Sequence, residues 1–209
     1  DAGGNPITGR SVTFAIASTP VGAVGQSLSI LNATTIANGQ ASSTLTLGDK
    51  VGTYTVTATS AGLTGSPVTF TATASAGGAT TIALTSGNGQ SNVISTALGA
   101  PFVVTVTDAG GNPVAGTSVT FAIASTPVGA TGQSLSILNA TTIANGQASS
   151  TLTLGNKVGT YTVTATSAGL TGSPVTFTAT ATVGTATNIA LTSGNSQTDT
   201  ISNVLALPF

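Results

Sequence analysis

Cysteine, histidine, glutamate, methionine and tryptophan are all missing from this 209-residue chain, and charge is nearly missing too. Three basic side chains (Arg10, Lys50, Lys157) and four acidic ones (Asp1, Asp49, Asp108, Asp199) make up 3% of the residues, where an ordinary soluble domain carries about 25%. Each gap excludes something. Without cysteine no disulfide can staple the fold, so packing and hydrogen bonding must hold it. Without a basic surface to neutralise phosphates, nucleic acid is not an expected partner. No apolar run approaches the roughly 20 residues of a membrane helix, so no membrane span is expected in this segment. No charged region followed by an apolar one opens the chain, and any secretion signal is expected to lie outside it.

What is present is threonine, serine, glycine and the apolar β-branched residues, a mixture that favours strands over helices and disorder alike. It is arranged as a repeat. Residues 1–102 align without a gap to residues 108–209, a period of 107, and 85 of the 102 aligned pairs are identical. Of the 17 differences, five fall in the first 74 positions and 12 in the last 28. A period near 100 is the size of a self-contained domain and too long for a solenoid repeat.

Inside one period the pattern alternates every two residues. "TYTVTATSA" at 160–168 sets Tyr161, Val163 and Ala165 against four threonines, and "VTFTATAT" at 175–182 does the same with Val175 and Phe177. "SVTFAIA" aims Val119, Phe121 and Ile123 inward, and "STLTL" aims Leu152 and Leu154. Period-two alternation predicts half-buried strands, packed on one face and covered with hydroxyls on the other. Turn signals separate them: "DAGGNP" at 108–113, read as the turn between two strands, and Asn145-Gly146, read as a hairpin between "TTI" and "QASSTL". Seven or eight strands per period and no helix predict two facing antiparallel sheets. Tyr161, with Tyr54 as its counterpart, stands two residues before an inward valine. That position fits a tyrosine corner of an immunoglobulin-like sandwich, or else a plain core or edge tyrosine.

The segments "VTVTDAGGNPVAGTSVTFAI", "TTIANGQASSTLTLGNKVGTYTVTATSAG" and "VTFTATA" resemble the bacterial Ig-like repeats of the intimin and invasin type, and the resemblance covers essentially the whole chain. It implies an all-β fold of tandem Ig-like antiparallel β-sandwich domains, used as spacers in bacterial surface and secreted proteins. Two departures stand out: Ile36 and Ile143 precede the Ala-Asn-Gly where family members often carry an acidic residue, and this chain is less charged than they are.

The repeat also bears on chemistry. An activated nucleophile needs a base beside it, and only the aspartates are on offer. Asp49 becomes Asn156 in the other copy, Asp199 becomes Asn92, and Arg10 becomes Thr117; only Asp1/Asp108 and Lys50/Lys157 keep their charge in both. Asp108 reads as an Asx-turn residue and Lys157 as a solvated turn charge. A loop with Asp108 and Asn112 falls short of the six to eight oxygens that calcium takes. The glycine-rich stretches lack the lysine and following helix of a phosphate cradle. No enzyme activity, catalytic residue, metal site or cofactor is therefore expected.

The expected function is structural: a segment of a bacterial extracellular fibre, stalk or sheath built from tandem Ig-like repeats, extracellular or on the cell surface. A net charge of −1 offers little repulsion between copies, and neighbouring copies of the chain are the expected partners. The alternative is an adhesin module that binds a host receptor or glycan, although hot spots favour Trp, Tyr and Arg and the chain has two Tyr and one Arg. "DAGGNP" returns to the question of boundaries, because it opens the chain at Asp1 and recurs in mid-pattern at Asp108. The expected division is 1–75, an Ig-like domain lacking its first strands; 76–182, a complete one; and 183–209, the first strands of a further one. Two arrangements follow: a continuous array in which five more residues matching 103–107 close two periods, or strand addition in trans between copies.

Overall fold

Threonine-rich alternation yields strands throughout, and no helix forms among the described residues, 1–199 and 201–205 of a computed structural model. The strands are β1 (Ser11–Ser18), β2 (Ser27–Leu28), β3 (Asn32–Thr34), β4 (Leu45–Thr46), β5 (Gly52–Thr59), β6 (Val68–Ala74), β7 (Thr81–Ser86), β8 (Gln90–Val93), β9 (Phe102–Thr107), β10 (Ser118–Ser125), β11 (Ser134–Leu135), β12 (Asn139–Thr141), β13 (Gln147–Ser150), β14 (Leu152–Thr153), β15 (Gly159–Thr166) and β16 (Val175–Thr182). The second segment, 76–182, thus has ten strands rather than seven or eight. Two are only two residues long, and β13 and β14 are one stretch interrupted at Thr151.

In that segment a five-stranded sheet, ordered β12-β10-β15-β16-β8, faces a three-stranded sheet, β13-β9-β7, with the pair β11-β14 beside them. The inward positions of the alternation meet in one core: Phe121, Val163, Phe177 and their neighbours from the larger sheet, Phe102, Val104, Val106 and Ile82 from the smaller. Phe102 and Phe177 stack across it with centroids 4.7 Å apart. Tyr161 is fully buried and its hydroxyl donates to the Lys157 carbonyl at 2.9 Å, with Tyr54 and Lys50 repeating the bond. Both tyrosines therefore make the corner and not merely core contacts.

Three expectations about pairing need correction. The "DAGGNP" turn is tight, with Asp108 N–H donating to Asn112 O and Val114 N–H to Val106 O. Its flanking strands nevertheless part company, β9 into the smaller sheet and β10 into the larger. The pairing runs past Pro113 to Val114, and beyond it the chain crosses to the other sheet, where β10 pairs with β12 and β15. The Asn145-Gly146 turn closes locally through Gly146 N–H to Ile143 O, yet β12 pairs with β10 and β13 with β9. It too is a crossing between sheets, because β13 finds its partner in β9. Finally, not every pairing is antiparallel: β8 lies parallel to β16. The chain leaves β7 in one sheet and joins the other through Gly87-Asn88-Gly89, where both glycines have positive φ. A Cβ on Gly87 would sit 2.1 Å from the Pro101 carbonyl oxygen.

The first segment, 1–75, repeats β1, β5 and β6 in the positions of β10, β15 and β16, in the sheet β3-β1-β5-β6. No described strand lies over it as β7 and β9 lie over the second, and none lies beside β6 as β8 lies beside β16. Identical residues consequently sit in two environments. Phe177 is 0% exposed and its counterpart Phe70 53%; Val175 is buried and Val68 exposed; Leu154 is buried and Leu47 exposed. Beyond Thr182 no described residue is in a strand, and Thr200 and residues 206–209 lie outside the described part.

Candidate functional site

The two segments meet at the second "DAGGNP". Aspartate followed by glycines forms an Asx turn because its carboxylate reaches the amides two and four residues on. Asp108 Oδ1 accepts from the amides of Gly110 (2.9 Å) and Asn112 (2.8 Å), and the Asn112 side-chain amide bonds both carboxylate oxygens at 3.0 Å. The other oxygen, Oδ2, accepts from Gly77 N–H at 2.8 Å, which ties the stretch joining the segments to the same carboxylate.

Asn112 then reaches across. Its Nδ2 donates to the Asp49 carbonyl at 2.8 Å and its Oδ1 accepts from Val51 N–H at 3.1 Å, while Lys50 Nζ donates to the Gly110 carbonyl. Both ends of the Asn112 amide are thus used on backbone either side of Lys50. That backbone is fixed in turn, because the Tyr54 hydroxyl bonds the Lys50 carbonyl. The corner tyrosine of the first segment therefore holds the loop that the second segment grips. Asp108 and Asn112 are 8% and 6% exposed. In the first copy Asp1 and Asn5 make the same internal bonds, Gly3 and Asn5 amides to Asp1 Oδ1 at 2.9 Å, but stay exposed.

The Asx-turn reading of Asp108 describes its local bonds and missed its reach to the joint. Lys50 is half-buried in the joint, whereas Lys157, at the other end, is exposed as a solvated turn charge should be. The exchange of Asp49 for Asn156 also has a reason. Each uses Oδ1 to accept from an amide 25 residues earlier, Val24 at 2.9 Å and Thr131 at 3.0 Å, which needs an oxygen and no charge. Among the described residues no three potential metal-ligating side chains of the His, Cys, Asp or Glu type come together.

Burial opposes ionisation of Asp108, but the bonds from the Asn112 side chain and from the Gly77, Asn112 and Gly110 amides outweigh it and leave the carboxyl below the ordinary value of 3.8. A folded value below the unfolded one means that the carboxylate's contribution is fully present above 3.8 and is lost as pH falls through the lower folded value. The Gly77 and Gly110 amide resonances should hold steady down to that point and titrate with a midpoint below it. A midpoint at or above the ordinary value would show that these bonds do not favour the charged form.

No family model and no curated protein matches the chain. Among solved structures it is similar to the D0-D1 domain of intimin, with 25% identity, 85% of this chain and 82% of that one covered and a TM-score of 0.34. It is also similar to the Escherichia coli adhesin FdeC, at 27% identity, 86% and 56% coverage and a TM-score of 0.47. Invasin, a bacterial integrin-binding protein, follows at 21% identity, 88% and 34% coverage and a TM-score of 0.38. The chain spans about half of the FdeC structure and a third of the invasin structure. The all-β, Ig-like fold rests on the chain's own strand pairing, two facing β-sheets with a tyrosine corner and no helix among the described residues.

Proposed function

We propose that the chain is a structural segment of a bacterial extracellular fibre, stalk or sheath, without catalytic activity, in which Ig-like units divided near residues 75/76 and 182/183 are locked end to end. The observation that carries this is the Asp108–Asn112 clamp, which spends a buried carboxylate and a buried amide on fixing one unit against the next. Three hydrogen bonds cross between the units, and a typical bond contributes about 1 kcal/mol. Such a joint resists bending, as a spacer must. A surface of Thr, Ser, Gly and Ala with three cationic side chains presents few tryptic sites, which suits long exposure outside a cell.

The adhesin alternative loses its best anchors. Both tyrosines are fully buried at their corners, and Arg10 is engaged with Ser60 Oγ and the Ala61 carbonyl. An antibody against the chain, applied to intact cells that produce it, should label their surface or projections from it, and external protease should remove the label. Labelling only after the cells are opened would contradict the proposal. Saturable micromolar binding of the isolated chain to a receptor or glycan would favour the adhesin.

A further inference from the structure

We infer that Asp108 is a latch on a hinge at Gly77-Gly78, and that protonating its carboxylate lets the two segments swing apart without unfolding either. This rests on the locked-joint reading above and names how that joint is released. Five bonds converge on the carboxylate: Oδ1 accepts from the Gly110 amide, the Asn112 amide and Asn112 Nδ2, and Oδ2 from the Gly77 amide and Asn112 Nδ2. An ionised carboxylate only accepts, so it suits a ring of donors; a protonated one turns an oxygen into a donor that faces donors. Oδ2 carries fewer bonds and takes the proton, which ends the Gly77 bond and loosens Asn112. Release then spreads, because the carboxylate is what aims Asn112 Nδ2 at the Asp49 carbonyl and Asn112 Oδ1 at Val51 N–H. Of the three bonds between the segments, only Lys50 Nζ on the Gly110 carbonyl remains.

The linker leaves room for the motion. Residues 75–80 lie between β6 and β7 in no strand. A Cβ on Gly78 would meet nothing within 4 Å, and one on Gly77 only Asp108 itself, Oδ2 at 3.6 Å and Cβ at 3.8 Å. A cleft of about 560 Å³ lined by Asp49, Lys50, Gly77, Gly78 and Asp108 admits solvent to the latch. Acid acts here because so little else titrates. The charged groups facing Asp108 are Asp49 and Lys50 of the first segment; β6, the linker, β7 and β9 bring none. Asp49 Oδ2 lies 3.9 Å from Lys50 Nζ, and Asp49 Oδ1 accepts from Val24 N–H, a bond that Asn156 makes without charge in the second segment. The other aspartates, Asp1 and Asp199, bond Asn5 and Asn203, and Glu and His are absent. Strand ladders and core therefore hold nothing for a proton to take. The latch is shut above the ordinary value of 3.8 and opens as pH falls through the lower value of the bonded carboxyl.

Backbone amide relaxation of the dilute 209-residue chain reads the hinge, since two bodies locked together tumble as one. At neutral pH both segments should share one correlation time. Toward about pH 2 that common time should be lost and replaced by two shorter ones, with the amides of β5 and β15 at unchanged shifts and full recovery on neutralisation. Asp108→Asn carries a donor at every pH and should tumble as two bodies already at neutral pH. Asp49→Asn, which copies Asn156, should keep the acid response. One correlation time down to about pH 2 overturns the latch and leaves the spacer reading standing; separate tumbling of the unaltered chain at neutral pH overturns both. An acid transition that unfolds a segment, an Asp108→Asn chain that stays rigid or does not fold, or an Asp49→Asn chain that no longer responds would each contradict the latch alone.

Discussion

Phe177→Ala should destabilise the second segment by about 3–5 kcal/mol, while Phe70→Ala, the same change within the same seven-residue sequence, should cost under about 1 kcal/mol in the monomer. Phe177 is fully enclosed, stacks on Phe102 and lies between two sheets. Removing its ring forfeits burial and leaves a cavity that β9 and β16 cannot close, because each is pinned by its own ladder. Phe70 has no facing strand among the described residues and is half in water, so truncation removes little that solvent did not already touch. The pair is an internal control in which sequence, strand and neighbours along the chain are held constant. Hydrogen exchange resolved by residue should report the two segments separately, where a single melting curve would merge them. Equal losses at the two sites would show that the first segment's core is covered in solution.

Gly110→Ala should open the joint without unfolding either segment. A Cβ there would lie 2.3 Å from the Asp49 carbonyl oxygen and 2.9 Å from Asn112 Nδ2. The first contact is with backbone, which cannot swing away as a side-chain tip could. Gly110 does not have a positive φ, so the turn's backbone accepts alanine, and the larger conflict is with the neighbouring segment's backbone, the smaller with the tip of the Asn112 side chain. Relieving it means giving up the three bonds between the segments, about 1 kcal/mol each, because a Cβ 2.3 Å from a backbone oxygen forces something to shift. Gly3→Ala is the matched control. Its Cβ would meet only Asn5 Nδ2 at 3.2 Å and Asp1 Oδ1 at 3.3 Å, and the change should be close to neutral. A Gly110→Ala chain that keeps its interdomain geometry would mean that the joint is held elsewhere.

Much of this was legible from alternation. The inward residues of "TYTVTATSA" and "VTFTATAT" are the buried ones, and Tyr161 makes its corner, because a strand has only two faces and apolar side chains choose one. Turn letters were less informative. Asp108 and Asn145 fix where the chain reverses, over four or five residues, but which sheet the next strand joins depends on partners far along the chain, β9 for β13 and β15 for β10. The joint was hidden for the same reason: Asn112 meets Asp49 and Val51 across more than 60 residues. The one signal pointing to it was that, of all the charges, only Asp1/Asp108 and Lys50/Lys157 recur in both copies. Both kinds of residue belong to the joint, one on each side.

If the clamp makes the two units one rigid body, the absence of cysteine makes that rigidity directly measurable. With cysteines introduced only at the exposed, equivalent positions Thr69 and Thr176, spin-labelled and diluted into unlabelled chain, dipolar spectroscopy reads the distance between the units. A single narrow distribution that broadens on Asn112→Ala is the result the clamp predicts. A distribution already broad in the chain with Asn112 intact would contradict it.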